Sequence, residues 1–156
     1  MIILAIPKPT IAFLNAMAAL NFKPTRLMSQ VSAIPQSFSA APKEFPGSYI
    51  GAFIPPLQAG SSNAQVNQFQ QAMHKYEPKA PPSVFAAWGW TEAQVAVAGL
   101  KHAQGNLTHT SFIKGLESVK NLQTLGGTLS YGAGDHVGLE KMFMVQARGG
   151  QLSPVK

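Results

Sequence analysis

The chain of 156 residues contains no cysteine. This absence excludes a disulfide framework, a thiolate nucleophile and a cysteine-ligated metal site. Charged residues are scarce at 12%, and no apolar run reaches the roughly 20 residues that a membrane-spanning helix needs. Hydrophobic residues nevertheless make up 46% of the sequence, which is typical of a folded globular domain and not of a disordered segment.

The basic side chains outnumber the acidic ones by 12 to 6 and give a formal net charge of +6. They are scattered along the chain from Lys8 to Lys156, with no run of three. The aromatic residues are not interleaved with Lys and Arg as a base-stacking surface would require. We therefore interpret the charge as a solvated surface and expect no nucleic-acid partner.

Groups suited to catalysis are few. The chain has four His, and neither an HExxH zinc motif nor a GxSxG nucleophile motif is present. The most chemically suggestive pair is Asp135-His136, within the sequence GAGDH. Adjacent side chains point in different directions, and the segment lacks the strand-to-helix context of a phosphate-binding loop. We interpret it as a polar turn and expect a non-enzymatic protein with no metal and no cofactor.

The apolar N-terminal segment needs an interpretation because it could be mistaken for a secretion signal. It ends in Ala16-Met17-Ala18, which fits a small-x-small cleavage site. However, no Lys or Arg precedes the apolar residues, and Pro7-Lys8-Pro9 interrupts them. We therefore predict a strand over Ile2–Ile6, a turn, and a helix that begins at Pro9 or Thr10, and we find no convincing signal peptide.

The next segments continue an alternating pattern. Residues 25–30 and 48–54 are predicted strands, and residues 32–46 are a polar loop with room for one short helix. Strand, helix, strand, loop, strand is the order of a parallel α/β fold with right-handed crossovers. Ligands of such sheets meet the carboxyl ends of the strands. This rule selects Pro7, Lys8, Ser29 and Gln30.

After Pro55-Pro56 the pattern becomes helical. One helix is predicted from an N-cap at Ser62, and a second follows in the stretch FAAWGWTEAQVAVAGLKHA, which holds both tryptophans of the chain at its start. A third is predicted from about Ser111. From Gly126 onward the pattern is strand-rich, with a Gly149-Gly150 turn. The second helix is expected to face a neighbour through Ala93, Ala96, Val97 and Leu100, with its small Ala and Gly residues allowing close approach.

The order of these segments resembles the second half of the solute-binding proteins of branched-chain amino-acid ABC importers. The similar segments are IAFLNAMAALNFKP, RLMS, GSYIGAF followed by Pro-Pro, and GWTEAQVAVAGLKHA, with Trp90 where the family usually has Tyr. The ending from SFIKGLESVK to QLSPV is also similar. Each motif is weak alone, and their order over nearly the whole chain makes the resemblance more specific.

The resemblance implies part of a two-lobed, type I periplasmic-binding-protein fold: α/β, with a mainly parallel sheet, flanking helices and a C-terminal β-hairpin. Residues 1–56 would belong to the second lobe and residues 57–125 to a helical part of the first. Residues 126–156 would form a strand-rich tail that returns to the second lobe. Because family members are about twice as long, exposed apolar surface and self-association of the chain are expected.

The resemblance also implies a ligand-binding role for particular residues. Phe85, Trp88 or Trp90 would form an apolar wall of the cleft, and the ordinary alternative is that these aromatic rings fill space between elements. Pro7, Lys8, Ser29 and Gln30 would line the other side. Amino-acid binders commonly place an acidic residue at a position that matches about Ser48 or Gly47, and this chain has none there.

A missing acidic partner disfavours a cationic ligand group and favours a neutral or anionic solute, such as an organic acid or an amide. The resemblance implies an ABC permease as partner and a periplasmic location. Two alternatives stay open on the sequence alone. One is a ligand-sensing domain of the same fold, and the other is an independent small basic α/β protein that binds an anionic partner or acts as an enzyme.

Overall fold

A computed structural model describes residues 1–155. The chain forms two compact units. Unit 1 comprises Met1–Pro56 together with the tail that begins at Met142, and unit 2 comprises Leu57–Lys141. The boundary at Pro56 coincides with the Pro-Pro dipeptide, which ends regular structure because proline supplies no backbone N–H for a strand ladder.

Unit 1 is built on a five-stranded sheet in the order β1-β2-β3-β6-β7. The first three strands are parallel to one another, and the last two continue the sheet in antiparallel orientation. The α/β class, the parallel strands and the C-terminal β-hairpin predicted from the sequence are confirmed. The strands are β1 (Ile2–Ile3), β2 (Leu27–Ser29), β3 (Tyr49–Ala52), β6 (Phe143–Arg148) and β7 (Gln151–Pro154).

The first helix, α1 (Pro7–Ala19), begins earlier than predicted, and β1 is correspondingly shorter than Ile2–Ile6. The reason is the chemistry of proline. Pro7 and Pro9 both lie in the first turn of α1, where backbone N–H groups lack intrahelical acceptors and a fixed φ favours the helix. The prolines that suggested a separate turn instead start the helix.

The second and third strands are also shorter than predicted. The chain leaves β2 at Ser29 into a 3₁₀ turn (Gln30–Ser32), and the expected short helix follows as α2 (Pro35–Ala40). Strand β3 ends at Ala52 instead of Ile54, and the backbone N–H groups of the next two residues bond to the side chain of Gln30. A side chain thus replaces the strand ladder at this point.

The core of unit 1 lies between α1, α2 and the sheet. Leu14 and Met17 of α1 and Phe45 after α2 pack with Met28 and Ile50 of the central strands. Val145 and Ala147 of the C-terminal strand β6 belong to the same cluster. The tail is therefore an integral part of this unit, because pairing of β3 with β6 brings its side chains into the core.

Unit 2 contains three helices: α3 (Ala64–Tyr76), α4 (Val84–His102) and α5 (His109–Glu117). The N-cap of α3 is Asn63 and not the predicted Ser62, since the Asn63 side chain accepts hydrogen bonds from Gln65 N and Val66 N. Among the apolar residues of α3, Val66 and Phe69 are buried and Tyr76 is exposed.

Helices α4 and α5 pack through glycine. A Cβ atom on Gly115 would lie 2.3 Å from the carbonyl oxygen of Gly99, so the two backbones approach too closely for any side chain there. Gly99 in turn faces the side chain of Leu116. The prediction that α4 presents Val97 and Leu100 to a neighbour is wrong, because both are exposed and the contact runs along the glycine face.

The end of unit 2 is a two-stranded sheet of β4 (Leu122–Thr124) and β5 (Gly127–Leu129). Strand β4 was not predicted, because its three residues lie between the third predicted helix and the strand-rich segment that begins at Gly126. Residues 126–141 belong to unit 2, whereas the sequence-based division placed them in the tail. The assignment of either unit to a lobe of a larger molecule stays a prediction.

The hairpin that closes unit 1 turns at Gly149 and Gly150, as predicted. Both residues have positive φ, 55° and 78°. Two consecutive residues with positive φ form the tight turn whose twist matches an antiparallel hairpin, and glycine adopts this conformation without a steric penalty.

Candidate functional site

Four of the predicted residues meet at one edge of the unit 1 sheet. Because β1, β2 and β3 are parallel, their carboxyl ends lie side by side. Pro7 and Lys8 form the first two helical positions after β1, while Ser29 ends β2 and Gln30 follows it. Lys8 is exposed, Pro7 and Ser29 are half-buried, and Gln30 is buried. The structure thus brings these residues to a common edge, hereafter the carboxyl edge.

The amide of Gln30 is engaged with the backbone that leaves β3. Its Oε1 accepts hydrogen bonds from Phe53 N at 3.1 Å and Ile54 N at 3.0 Å, and its Nε2 donates to Ile54 O at 2.6 Å. Gln30 is only 2% exposed, so these bonds form away from water. The side chain therefore fixes the path of the chain at the carboxyl edge.

Ser29 has a local structural role alongside any contact with a ligand. Its Oγ accepts a hydrogen bond from Val31 N at 3.3 Å, which caps the 3₁₀ turn. Its carbonyl oxygen accepts from Ser32 Oγ at 2.9 Å. These short-range bonds shape the loop after β2 and leave the half-buried Ser29 side chain at the carboxyl edge.

Ser48 does not join the other four residues. It precedes β3 and lies at the amino end of that strand, so the length of the strand separates it from the carboxyl edge. Ser48 is fully buried, and its Oγ accepts a hydrogen bond from Arg26 Nε at 3.0 Å. Arg26 Nη2 also donates to Pro46 O at 3.2 Å. This arrangement links the amino ends of β2 and β3, and no local sequence pattern predicts it.

The three predicted aromatic residues lie together on the first half of α4 in unit 2. The ring of Phe85 meets that of Trp88 edge-on, with centroids 5.2 Å apart. The ring of Trp90 meets Phe69 of α3 edge-on at 6.1 Å. Phe85 is exposed, whereas Trp88 and Trp90 are half-buried. Trp90 therefore helps to hold α3 against α4, and Phe85 with Trp88 forms the more accessible aromatic pair.

Gly89 between the tryptophans is not required by packing. A Cβ atom built at this position would meet nothing within 4 Å. Helix α4 begins at Val84, with Ser83 as its N-cap accepting from Ala86 N, so both tryptophans lie within the helix and not at its entrance. Gly89 therefore serves no close approach among the described residues.

The GAGDH segment forms the polar turn that was predicted. The Asp135 carboxylate accepts a hydrogen bond from Val137 N at 3.0 Å, and His136 Nε2 lies 3.1 Å from Glu117 Oε1. The two adjacent side chains thus have different partners. A shallow polar cavity of about 460 Å³ borders this turn, and its walls include Asn121, Thr128 and Glu140.

Among residues 1–155, no cluster of three His, Asp or Glu side chains could hold a metal ion. Within the same described range, no helix combines the length and hydrophobicity needed to span a membrane.

Comparison with solved structures shows the fold of the chain. It superposes on a possible leucine/isoleucine/valine-binding protein from Rhodopirellula baltica with a TM-score of 0.87 and 18% sequence identity, over 99% of this chain. The structure of a branched-chain amino acid ABC transporter from Thermus thermophilus with bound valine gives a TM-score of 0.80 and 18% sequence identity, also over 99% of this chain. A fatty acid ABC transporter substrate-binding protein from Thermomonospora curvata gives a TM-score of 0.81 and 19% sequence identity over 98% of this chain.

The chain spans less than half of these solved relatives, 42%, 44% and 41% of their respective lengths. No curated protein matches the sequence. The sequence profile of the family described as periplasmic binding protein matches residues 1–151, almost the entire chain. Sequence profile and fold agree, and the chain belongs to the periplasmic binding protein family.

Proposed function

We propose that this chain is part of the solute-binding component of an ABC importer and contributes walls of a cleft that closes over a small solute. The observation that carries the proposal is the family match over residues 1–151. In two-lobed binding proteins, hinge closure buries the ligand between the lobes. The chain itself carries out no chemical step in this mechanism, which is consistent with its few groups suited to catalysis.

The carboxyl edge supports a particular class of solute. The segments that follow β1, β2 and β3 are Leu4–Lys8, Ser29–Ser32 and Phe53–Pro56, and Lys8 is their only ionisable side chain. A solute ammonium group would find no carboxylate at this edge, so this edge could not compensate for the hydration that the group loses. An aliphatic carboxylate without an ammonium group fits better, with its charge near Lys8.

We assign the predicted residues to different roles within this proposal. In unit 1, Pro7, Lys8 and Ser29 are assigned to contact with the solute. For unit 2, a ligand-binding role of the Phe85–Trp88 pair is a separate proposal that rests on the family resemblance. Gln30 acts as a positioning residue, because its amide is engaged with the backbone of Phe53 and Ile54. Two solved relatives carry names that refer to valine and to fatty acids, so both classes of ligand are candidates.

The partner that we propose is a membrane-embedded ABC permease, and the proposed location is the periplasm. Both rest on membership of the family. We also propose that the isolated chain associates with itself weakly at high concentration, because large apolar side chains such as Leu4 and Ile6 are exposed in unit 1.

The proposal is tested by two-dimensional ¹⁵N NMR of the chain during titration with valine, leucine, hexanoate and hexanamide. NMR detects millimolar binding, which corresponds to about −4 kcal/mol and is reasonable for an incomplete cleft. We expect hexanoate to shift the amide signals of Lys8, Ser29 and Gln30 more than valine does.

Paired lysine variants sharpen this test. Lys8→Gln should weaken hexanoate binding about fivefold, which corresponds to about 1 kcal/mol for an exposed charge contact. Lys23→Gln is the matched control, since Lys23 is another exposed lysine of unit 1 away from the carboxyl edge. If no solute shifts the carboxyl-edge signals at 20 mM, the proposed solute-binding role of this edge is wrong.

A further inference from the structure

Strand β6 also reaches the carboxyl edge. Because β6 is antiparallel to β3, its first residue, Phe143, lies opposite Ala52, the last residue of β3. Met142 precedes Phe143 and therefore lies at the same edge. The two charged residues before Met142, Glu140 and Lys141, border the polar cavity of unit 2. The segment that β6 adds to the carboxyl edge is thus apolar.

Met142 lies directly on the backbone of β3. Its Cε atom is 3.2 Å from the position that a Cβ atom on Gly51 would occupy. A Cβ atom there would displace this methyl group by a few tenths of an ångström, so the glycine provides its seat. Most of Met142 is nevertheless in contact with solvent, since the residue is 66% exposed. A thioether side chain is polarisable and adapts its shape to an apolar ligand.

Two phenylalanines lie at the same ends of the paired strands. Phe143 is 39% exposed, and Phe53, the residue that follows β3, is half-buried. Small-molecule sites are lined mainly by hydrophobic and aromatic side chains, with a few polar groups that fix the orientation of the ligand. Phe53, Met142 and Phe143 are hereafter called the apolar end of the carboxyl edge.

The apolar end and Lys8 lie on opposite sides of this edge. Lys8 follows β1, the first strand in the sheet order, and Met142 precedes β6, the fourth. Neighbouring strands are about 4.8 Å apart, so three intervals correspond to about 14 Å. Ser29 and Gly51 are in register on the two strands between them, and both residues are small. The edge therefore connects a cation to an apolar surface across residues with small side chains.

We propose that the carboxyl edge prefers a carboxylate with a long, unbranched alkyl chain. The carboxylate lies near Lys8, and the chain crosses Ser29 and Gly51 and ends against Met142 and Phe143. This inference rests on the proposed solute-binding role of the edge, and it adds the length of the solute and the residues that select that length.

The dimensions of the edge set the expected chain length. Carbon–carbon single bonds of about 1.5 Å in a zigzag advance about 1.3 Å per carbon, so about 14 Å corresponds to roughly eleven carbons. A chain of six carbons covers about 8 Å by the same measure and ends short of Met142. Each methylene that leaves water for the apolar end favours binding. We therefore expect the affinity to rise from hexanoate to decanoate.

Methyl NMR of the chain, labelled with ¹³C at the methionine methyl groups, tests the inference. The chain is titrated, below the concentrations at which micelles form, with hexanoate, decanoate and decyltrimethylammonium, which combines a ten-carbon chain with the opposite charge. We expect decanoate to bind at least about fivefold more tightly than hexanoate and to shift the Met142 methyl signal. Hexanoate should shift the Lys8 amide signal and leave that of Met142 unchanged. The methyl group of Met73, in unit 2, is the internal reference.

Two substitutions at the apolar end complete the test. Met142→Gln removes the apolar contact at an exposed position and should weaken decanoate binding about fivefold, while hexanoate binding changes less than twofold. Gly51→Ala should weaken decanoate binding about twofold, because its Cβ atom displaces the Met142 methyl group. Met73→Gln, the same substitution in unit 2, is the matched control and should change neither affinity. Circular dichroism of each variant checks that it is folded.

The outcomes separate this inference from the proposed solute-binding role. If the Lys8 and Ser29 amide signals shift but decanoate binds no more tightly than hexanoate, or the Met142 signal does not respond, this inference is wrong and the edge still binds solutes. An equal response of Met142 to decyltrimethylammonium also overturns it, because binding would then ignore the charge of the solute. If no solute shifts the signals of the carboxyl edge, both proposals are wrong.

Discussion

The two units of this chain are stabilised by contacts of different range. In unit 1, Gln30 bonds to a backbone 24 residues away, and β3 pairs with β6, whose partner residues lie more than ninety positions later. In unit 2, α3, α4 and α5 each begin with a side-chain cap that bonds two or three residues ahead. Unit 1 therefore depends on strand pairing across more than ninety positions, whereas unit 2 combines local caps with helix contacts of shorter sequence separation, such as Phe69–Trp90 and Gly99–Gly115.

The largest effect is expected at the α4–α5 contact of unit 2. Gly115→Ala would place a Cβ atom 2.3 Å from Gly99 O and 2.9 Å from Ala103 N. Backbone atoms cannot move aside as a side chain can, so we expect a loss of about 3 kcal/mol in the free energy of unfolding. Urea denaturation followed by circular dichroism measures this loss. An unchanged midpoint would show that the helices are not in close contact.

The next effect is expected at the distant contact of unit 1. Gln30→Leu keeps a side chain of similar size but leaves the N–H groups of Phe53 and Ile54 without their acceptor. Buried unsatisfied donors are costly, and we expect a loss of about 2 kcal/mol by urea denaturation. Gln36→Leu is the matched control, because Gln36 is an exposed residue of α2. Equal stability of the two variants would contradict the role assigned to Gln30.

A smaller effect is expected at the local cap of α5. Thr108 and Ser111 form a reciprocal capping box, with Ser111 N bonded to Thr108 Oγ1 at 3.1 Å and Thr108 N to Ser111 Oγ at 2.8 Å. Thr108→Ala should destabilise unit 2 by about 1 kcal/mol. Thr110→Ala, two residues further along the chain, is the control and should have little effect. Hydrogen exchange of the α5 amides distinguishes local fraying from global unfolding.

The smallest effect is expected at Gly89, with the opposite sign. This residue lies inside α4 and has open space where a Cβ atom would be, so Gly89→Ala should stabilise the helix by about 0.5 kcal/mol. Thermal denaturation followed at 222 nm is the measurement. A destabilised variant would indicate a contact at Gly89 that the present packing does not contain.

The separation along the sequence of the residues that form a feature explains whether that feature could be predicted. The alternation of strand and helix in unit 1, the Gly149-Gly150 turn and the three helices of unit 2 all depend on local patterns, and they are confirmed. The burial of Gln30 against Phe53 and Ile54 depends on how distant segments meet. Nothing in the neighbours of Gln30 along the chain reveals that contact.

Errors at helix ends and helix faces have specific physical causes. The sequence pattern predicts a turn at Pro7 and a helix from Pro9 or Thr10, but α1 begins at Pro7 because proline is favoured in the first turn of a helix. On α4, the expected close approach at small residues is confirmed at Gly99, whereas Val97 and Leu100, also expected at the contact, are exposed. Periodicity identifies an apolar stripe, and it does not show which stripe another helix contacts.

The candidate site was predictable where a topological rule applied. Parallel strands place Pro7, Lys8, Ser29 and Gln30 at one edge, as expected from strand order alone. Ser48 was selected by alignment to a family position, and it lies at the other end of β3, bonded to Arg26. The roles of all these residues in binding a solute remain predictions.

Isothermal calorimetry of the unmodified chain with hexanoate, valine and leucine tests most directly the claim that it forms only part of a solute cleft. The chain spans less than half of the relatives, so we predict dissociation constants of about 1 mM or weaker. Saturable binding at micromolar concentration would contradict the claim, because it would mean that this chain alone encloses its solute.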